Sequence, residues 1–70
     1  MQPSVVITVN GEPREVRAGS SLAELVRELG LSSAAVAVEK NRKLVRARDH
    51  ASTALSGGDE IEVVTLVGGG

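Results

Sequence analysis

The sequence predicts an α+β domain, a mixed sheet of four to five strands with one main helix packed on one face. Three observations carry this reading. The β-branched run Val5-Val6-Ile7-Thr8-Val9 ends in Asn10-Gly11, the dipeptide that favours the positive φ angles of a tight hairpin turn. Ser21 and Glu24 stand at capping-box spacing before Leu22, Leu25, Val26 and Leu29, which form one apolar stripe at helical period. A second strand-like stretch, from Ile61 to Val67, leads directly into Gly68-Gly69-Gly70.

The elements follow in order. After the Asn10-Gly11 turn, Arg14 to Ala18 alternate charged and apolar residues around Val16, as a half-buried return strand does. Pro13 lies near the start of that strand, where a missing amide donor is tolerated. Glu24, Arg27 and Glu28 are assigned to the wet face of the helix, and Gly30 supplies the left-handed residue that closes it, letting Leu31 fold back on the last turn. Val36-Ala37-Val38-Glu39 reads as a third strand, Lys40-Asn41-Arg42 as a turn and Lys43-Leu44-Val45 as a short fourth strand. The stretch 46–56 is weakly patterned and is expected to be loop with one helical turn. Ser56-Gly57-Gly58-Asp59 then forms a strong turn signal ahead of the final strand. The most economical arrangement of hairpin, helix, strands and final strand is the β-grasp, in which first and last strands lie side by side in parallel at the sheet centre.

Composition narrows the function classes. Seventy residues make one small domain, near the size at which a single core barely stabilises a chain. Cysteine is absent, which removes disulfides, thiolate catalysis and Cys-ligated metal sites and fits a reducing, cytoplasmic setting. Aromatic residues are absent too, so the core must be built from Val, Leu, Ile and Ala. Eight Lys and Arg against nine Asp and Glu give a net charge of −1, with no basic balance to suggest nucleic acid. No apolar run is long enough to span a membrane, and no signal-peptide pattern opens the chain. Lys40, Arg42, Lys43, Arg46 and Arg48 form a local basic cluster, read as ordinary solvated charge. His50 is the sole histidine and is expected in a surface or loop role, since no motif places a second catalytic group beside it.

The tail carries the plainest chemistry. Glycine lacks a Cβ and passes where a side chain would collide, and three extended residues reach on the order of 10 Å beyond a sheet. A glycine-rich end also has the plain explanation of a frayed terminus. On the first reading the domain spans 1–67 and a flexible tail spans 68–70. Alternation in the final strand puts Ile61, Val63, Thr65 and Val67 on one face and Glu62, Val64 and Leu66 on the other. An unpaired carboxylate is costly to bury, so Glu62 marks the open face. Val64 and Leu66 are therefore expected to be exposed near the tail, beside Val6 or Thr8 of the first strand, as a partner-docking patch.

Asn10-Gly11-Glu12, Ser21-Leu22-Ala23-Glu24-Leu25, Val36-Ala37-Val38-Glu39-Lys40-Asn41, Gly58-Asp59-Glu60-Ile61-Glu62-Val63 and Val67-Gly68-Gly69-Gly70 together resemble the ThiS sulfur carriers of thiamine biosynthesis, along nearly the whole chain. The 46–56 segment matches least, and an aromatic common near there or in the last strand is missing. The resemblance implies a ubiquitin-like fold and a carrier, not an enzyme. It implies that an E1-like adenylyltransferase, using ATP and Mg, adenylates the carboxylate of Gly70. Sulfur that originates at a cysteine desulfurase then converts the adenylate to a thiocarboxylate, which thiazole synthase consumes. Gly68 and Gly69 form the threadable tail, no cofactor is bound by the chain itself, and the free carrier is expected to be a monomer. Sulfur carriers for molybdopterin or tRNA thiolation share a terminal diglycine, and a TGS-type RNA-binding module has a comparable strand order. These alternatives stay open on the residues alone.

Overall fold

The computed structural model describes residues 3–66. Five strands, β1 (Ser4–Val9), β2 (Glu12–Arg17), β3 (Val36–Lys40), β4 (Lys43–Val45) and β5 (Glu60–Thr65), accompany one helix, α1 (Leu22–Glu28), and two short 3-10 turns. The sheet order is β2-β1-β5-β3-β4. β1 and β5 pair in parallel, with Thr8 opposite Glu60 and Val9 opposite Ile61, and the other pairs are antiparallel. This is the expected β-grasp, with the last strand at the centre. Ile7, Val16, Val38 and Ile61 point from the sheet into a wholly aliphatic core against Leu22, Leu25 and Val26 of α1.

Both ends of the helix are closed by the residues the sequence assigned to them. The Ser21 hydroxyl accepts the Glu24 amide at 3.1 Å, and the Glu24 carboxylate accepts the Ser21 amide at 2.9 Å. At the other end Gly30 has φ +79°. Its amide donates to Arg27 O (2.9 Å), and the Leu31 amide donates to Val26 O (3.1 Å), a Schellman closure that returns Leu31 to the core. Two remaining free amides of the first turn find partners in the 46–56 segment: Leu22 N donates to Thr53 O (2.8 Å) and Ala23 N to His50 O (3.1 Å). The weakly patterned segment holds the expected helical turn, Ala47–Asp49, and it serves as a backbone cap for α1.

His50 lies in the loop, as expected, directly after the Ala47–Asp49 turn, but it is buried and not at the surface, 1% exposed. Its Nε2 lies 3.0 Å from Val45 O and its Nδ1 2.8 Å from the Ser33 hydroxyl. A carbonyl can only accept, so Nε2 carries a proton and donates to Val45 O, while the Ser33 hydroxyl partners Nδ1. The ring ties β4 to the link before β3, and no period in the sequence signals a contact of that kind.

Two hairpin turns use positive φ. Asn10 (+52°) and Gly11 (+84°) form the first; Asn41 (+52°) and Arg42 (+71°) form the second. A two-residue hairpin turn of this type suits Asn-Gly, and a residue with a Cβ costs roughly 1–2 kcal/mol in the left-handed region. The Arg42–Glu60 ion pair is 3.9 Å long with side chains 89% and 61% exposed, so it returns little stability. Arg42→Gly is expected to raise stability by roughly 0.5–1 kcal/mol, once the larger freedom of glycine in the unfolded chain is subtracted. A higher urea midpoint at unchanged slope is the check.

The capping box also makes a pH prediction. The Ser21 backbone amide, chiefly, holds the Glu24 carboxyl below its ordinary range against a smaller opposing effect of burial, assisted by the Ser21 hydroxyl and by Arg17 and Arg27. A carboxyl depressed in the folded state binds protons more readily when unfolded. Its stabilisation is therefore present above the unfolded-state pKa and is lost as pH falls through the folded one. Thermal melts across the acid range should show a shallower loss of Tm for Glu24→Gln than for the native chain.

Candidate functional site

β5 turns Ile61 and Val63 into the core, 1% and 8% exposed, and leaves Val64 and Leu66 60% and 55% exposed. The outward assignment of Val64 and Leu66 thus agrees with strand alternation. Their expected neighbours do not. Because Thr8 stands opposite Glu60, Val6 lies about 20 Å along the strands from Val64 at the usual rise per residue. Val64 instead sits across from Ala37 of β3. Thr65, expected to face the core, is exposed. It lies past the end of β1, where that side of the sheet has run out.

Two asparagine side chains complete the hold on β5. At the first hairpin the chain must turn, so β1 cannot follow β5 to its end. The Asn10 carboxamide takes its place: Nδ2 donates to Val63 O at 3.1 Å, and Oδ1 accepts Val63 N at 2.8 Å. At the second hairpin Asn41 N donates to Glu60 O (2.7 Å), Asn41 Oδ1 accepts Glu60 N (2.9 Å), and its Nδ2 donates to Asp59 Oδ1 (3.1 Å). Asp59 is itself buried, with its other oxygen accepting Ser56 N at 2.8 Å. The sequence marks both asparagines as turn residues but not as clamps, because side chains bonding residues 53 and 19 positions away leave no local pattern.

The open face near this strand is acidic, with Glu39 directly opposite Glu62 and Glu60 beside them. From the basic cluster, Lys40 pairs with Asp59 at 3.9 Å and Arg42 with Glu60, while Lys43, Arg46 and Arg48 are exposed. Among the described residues no group of His, Cys, Asp or Glu could hold a metal ion. None of the described helices is long and apolar enough to cross a membrane. Gly68, Gly69 and Gly70, and with them the boundary between a domain of 1–67 and a tail of 68–70, lie outside the described residues. The described structure supplies the base from which those residues leave.

A sequence profile of the ThiS family matches residues 7–70. The chain belongs to the ThiS family. It is 35% identical over 65 residues to the sulfur carrier protein ThiS of Thermus thermophilus, covering 93% of this chain and 100% of that one. The crystal structure of the thiamine biosynthesis protein ThiS from Geobacter metallireducens superposes with a TM-score of 0.79 at 29% identity, covering 94% of this chain and 100% of that chain. A thiazole synthase of Paramagnetospirillum magneticum is 39% identical over 64 residues. That match takes in 91% of this chain but only 20% of the synthase, so the chain spans about a fifth of the thiazole synthases it matches. Membership of the ThiS family favours the sulfur-carrier reading over a TGS-type RNA-binding module.

The two faces of β5 should separate in mutagenesis. Val64→Ser with Leu66→Ser is expected to change stability by no more than about 0.5 kcal/mol, as at ordinary surface positions. Ile61→Ala should cost about 2–5 kcal/mol. Urea denaturation of the three chains tests the assignment.

Proposed function

We propose that the carboxyl group of Gly70 is the sulfur-carrying group and that the folded domain presents it to other enzymes. The observation that supports this most is a central strand, held on both flanks, that leads into three glycines in a ThiS-family chain. A carboxylate resists nucleophilic attack because it is anionic and its leaving group is oxide, so it must first be activated. A Gly70 oxygen attacks the α-phosphorus of ATP, held with Mg on an E1-like adenylyltransferase, and pyrophosphate leaves. The terminal sulfur of a persulfide made by a cysteine desulfurase then attacks the acyl carbon of the mixed anhydride and expels AMP. A thiol of the sulfur-delivery system reduces the acyl disulfide so formed, leaving as the oxidised disulfide. The product is a thiocarboxylate. Gly68 and Gly69 present no side chain to the walls of the cleft through which Gly70 must pass. The chain contributes substrate and recognition surface, and the partner binds the nucleotide and catalyses.

Thiazole synthase is the proposed consumer of the sulfur. The relatives named thiazole synthase that carry a stretch like this chain within a longer polypeptide favour that pairing. Val64 and Leu66 form the proposed docking patch, two apolar groups standing in water at the base of the tail. The carrier works as a free monomer in the cytoplasm, where a cysteine-free domain needs no disulfide, and it calls on neither nucleic acid nor membrane.

Two measurements test the reading. Incubated with the adenylyltransferase, ATP, Mg and a sulfur source, the native chain should gain the mass of an oxygen-to-sulfur exchange. A chain extended beyond Gly70 by residues that cannot be cleaved should not, and equal conversion of the two would exclude Gly70 as the carrier. The folded Val64→Ser, Leu66→Ser chain should bind the adenylyltransferase at least tenfold more weakly; unchanged affinity would remove the docking patch.

A further inference from the structure

Hydrogen-bonding groups along a strand point alternately to its two neighbours. In β5 the parity is fixed by individual bonds. Leu66 N donates to Ala35 O at 2.8 Å and Asn41 N to Glu60 O at 2.7 Å, so the even-numbered residues bond towards β3. Thr8 N donates to Asp59 O at 3.0 Å and Asn10 N to Ile61 O at 2.8 Å, and Val63 bonds the Asn10 carboxamide. The odd-numbered residues therefore bond towards β1. Thr65 is the next odd residue, and on that side the described residues offer it no strand, because β1 ends at Val9 and the Asn10 side chain closes the ladder at Val63. The Thr65 N–H and C=O thus lie in the plane of the sheet on an edge without a partner strand among the described residues, and the residue is exposed.

We propose that this edge is a strand-addition site: an extended main-chain segment of the adenylyltransferase pairs with Thr65 as the tail enters its cleft. The proposal rests on the carrier reading given above. A tail of three glycines offers an enzyme no side chain to recognise, only backbone donors and acceptors. Recognition of such a tail is recognition of main chain, and strand addition is how a partner's main chain meets an open sheet edge. Thr65 is the first such rung past the Asn10 clamp. A segment that docks there displaces no described strand, because the opposite flank remains paired with β3 at Val64 and bonded through Leu66 to Ala35, just before β3. Edges elsewhere are less suited: β2 carries Pro13, and β4 is three residues long with Lys43 at its start.

Parity makes a clean variant available. Thr65→Pro removes the amide donor on the open side and costs no bond to β3, while Thr65→Ser keeps the backbone donor and changes only the side chain. With both shown to be folded by retained hydrogen-exchange protection at Val38, Thr65→Pro should lower kcat/KM for adenylation at least tenfold, chiefly through KM, and Thr65→Ser should stay within twofold of native. The native chain supplies an arm that needs no variant. Alone, its Thr65 amide should exchange faster than those of Val64 and Leu66, and saturation with the adenylyltransferase should slow it at least tenfold. A folded Thr65→Pro chain adenylated within twofold of native would overturn the proposal, as would a Thr65 amide equally fast in the saturated complex, and the exchange arm decides if Thr65→Pro does not fold. A native chain that is never adenylated would overturn the carrier reading and this site with it, whereas an adenylated native chain matched by Thr65→Pro overturns the site alone.

Discussion

The pairing of β5 at the centre of the sheet is the interaction on which the rest of this structure depends. A parallel neighbour requires a long crossover, and here that crossover contains the helix and the whole β3–β4 hairpin. All other elements are thereby arranged around one strand. Both hairpins then turn beside it, and each turn has two positions with positive φ, the first of them an asparagine. Glycine would satisfy the backbone at those positions, but only asparagine also carries an amide that can bond a strand. Asn10 and Asn41 do both, Asn10 at Val63 and Asn41 at Glu60. Arg42, whose side chain reaches β5 only through an exposed ion pair with Glu60, shows the cost of positive φ with little of that return.

The same economy runs through the core. With no aromatic side chain to bury, each aliphatic residue removes less apolar area from water, so satisfied polar groups carry more of the specification. Burying the start of the helix leaves amides that must find partners, and the 46–56 loop provides two carbonyls for them while sending Leu55 into the core, 3% exposed. His50 fixes that loop from beneath through Val45 and Ser33. A segment with no strong pattern of its own is thus held in place by what it caps.

Legibility in the sequence follows the range of the interactions. The first turn, both helix ends and the inward or outward setting of Ile61 to Val64 and of Leu66 were readable because each depends on residues within a few positions: Asn10-Gly11, Ser21 with Glu24, Gly30 with Leu31, Glu62 between Ile61 and Val63. The burial of His50, the clamps made by Asn10 and Asn41 and the caps from Thr53 and His50 were not. Each is a polar contact between segments far apart in the chain, and a polar residue in a turn looks the same whether or not its side chain reaches a strand. The neighbours expected for Val64 failed for a related reason. Alternation gives the face of a strand, but only register gives its position along its partner, and a parallel pair has no connecting turn to fix register. Exposure of Thr65 has the same origin, since nothing local shows where β1 stops.

Where β1 stops also determines what a partner meets. Residues already fixed in the free protein cost nothing further when engaged, whereas each residue fixed only on docking costs roughly 1–2 kcal/mol of backbone entropy. β5 is bonded on both flanks as far as Val63 and on one flank as far as Leu66. Val64 and Leu66 are thus apolar groups at set positions, with Thr65 between them facing the other way. The one-sided stretch combines order with an open edge, which neither a fully paired strand nor an unanchored segment can do: the first has no free rung, and the second must be ordered before it binds. The short reach of β1, a weakness for the sheet taken alone, is what leaves the base of the glycine segment both fixed and accessible.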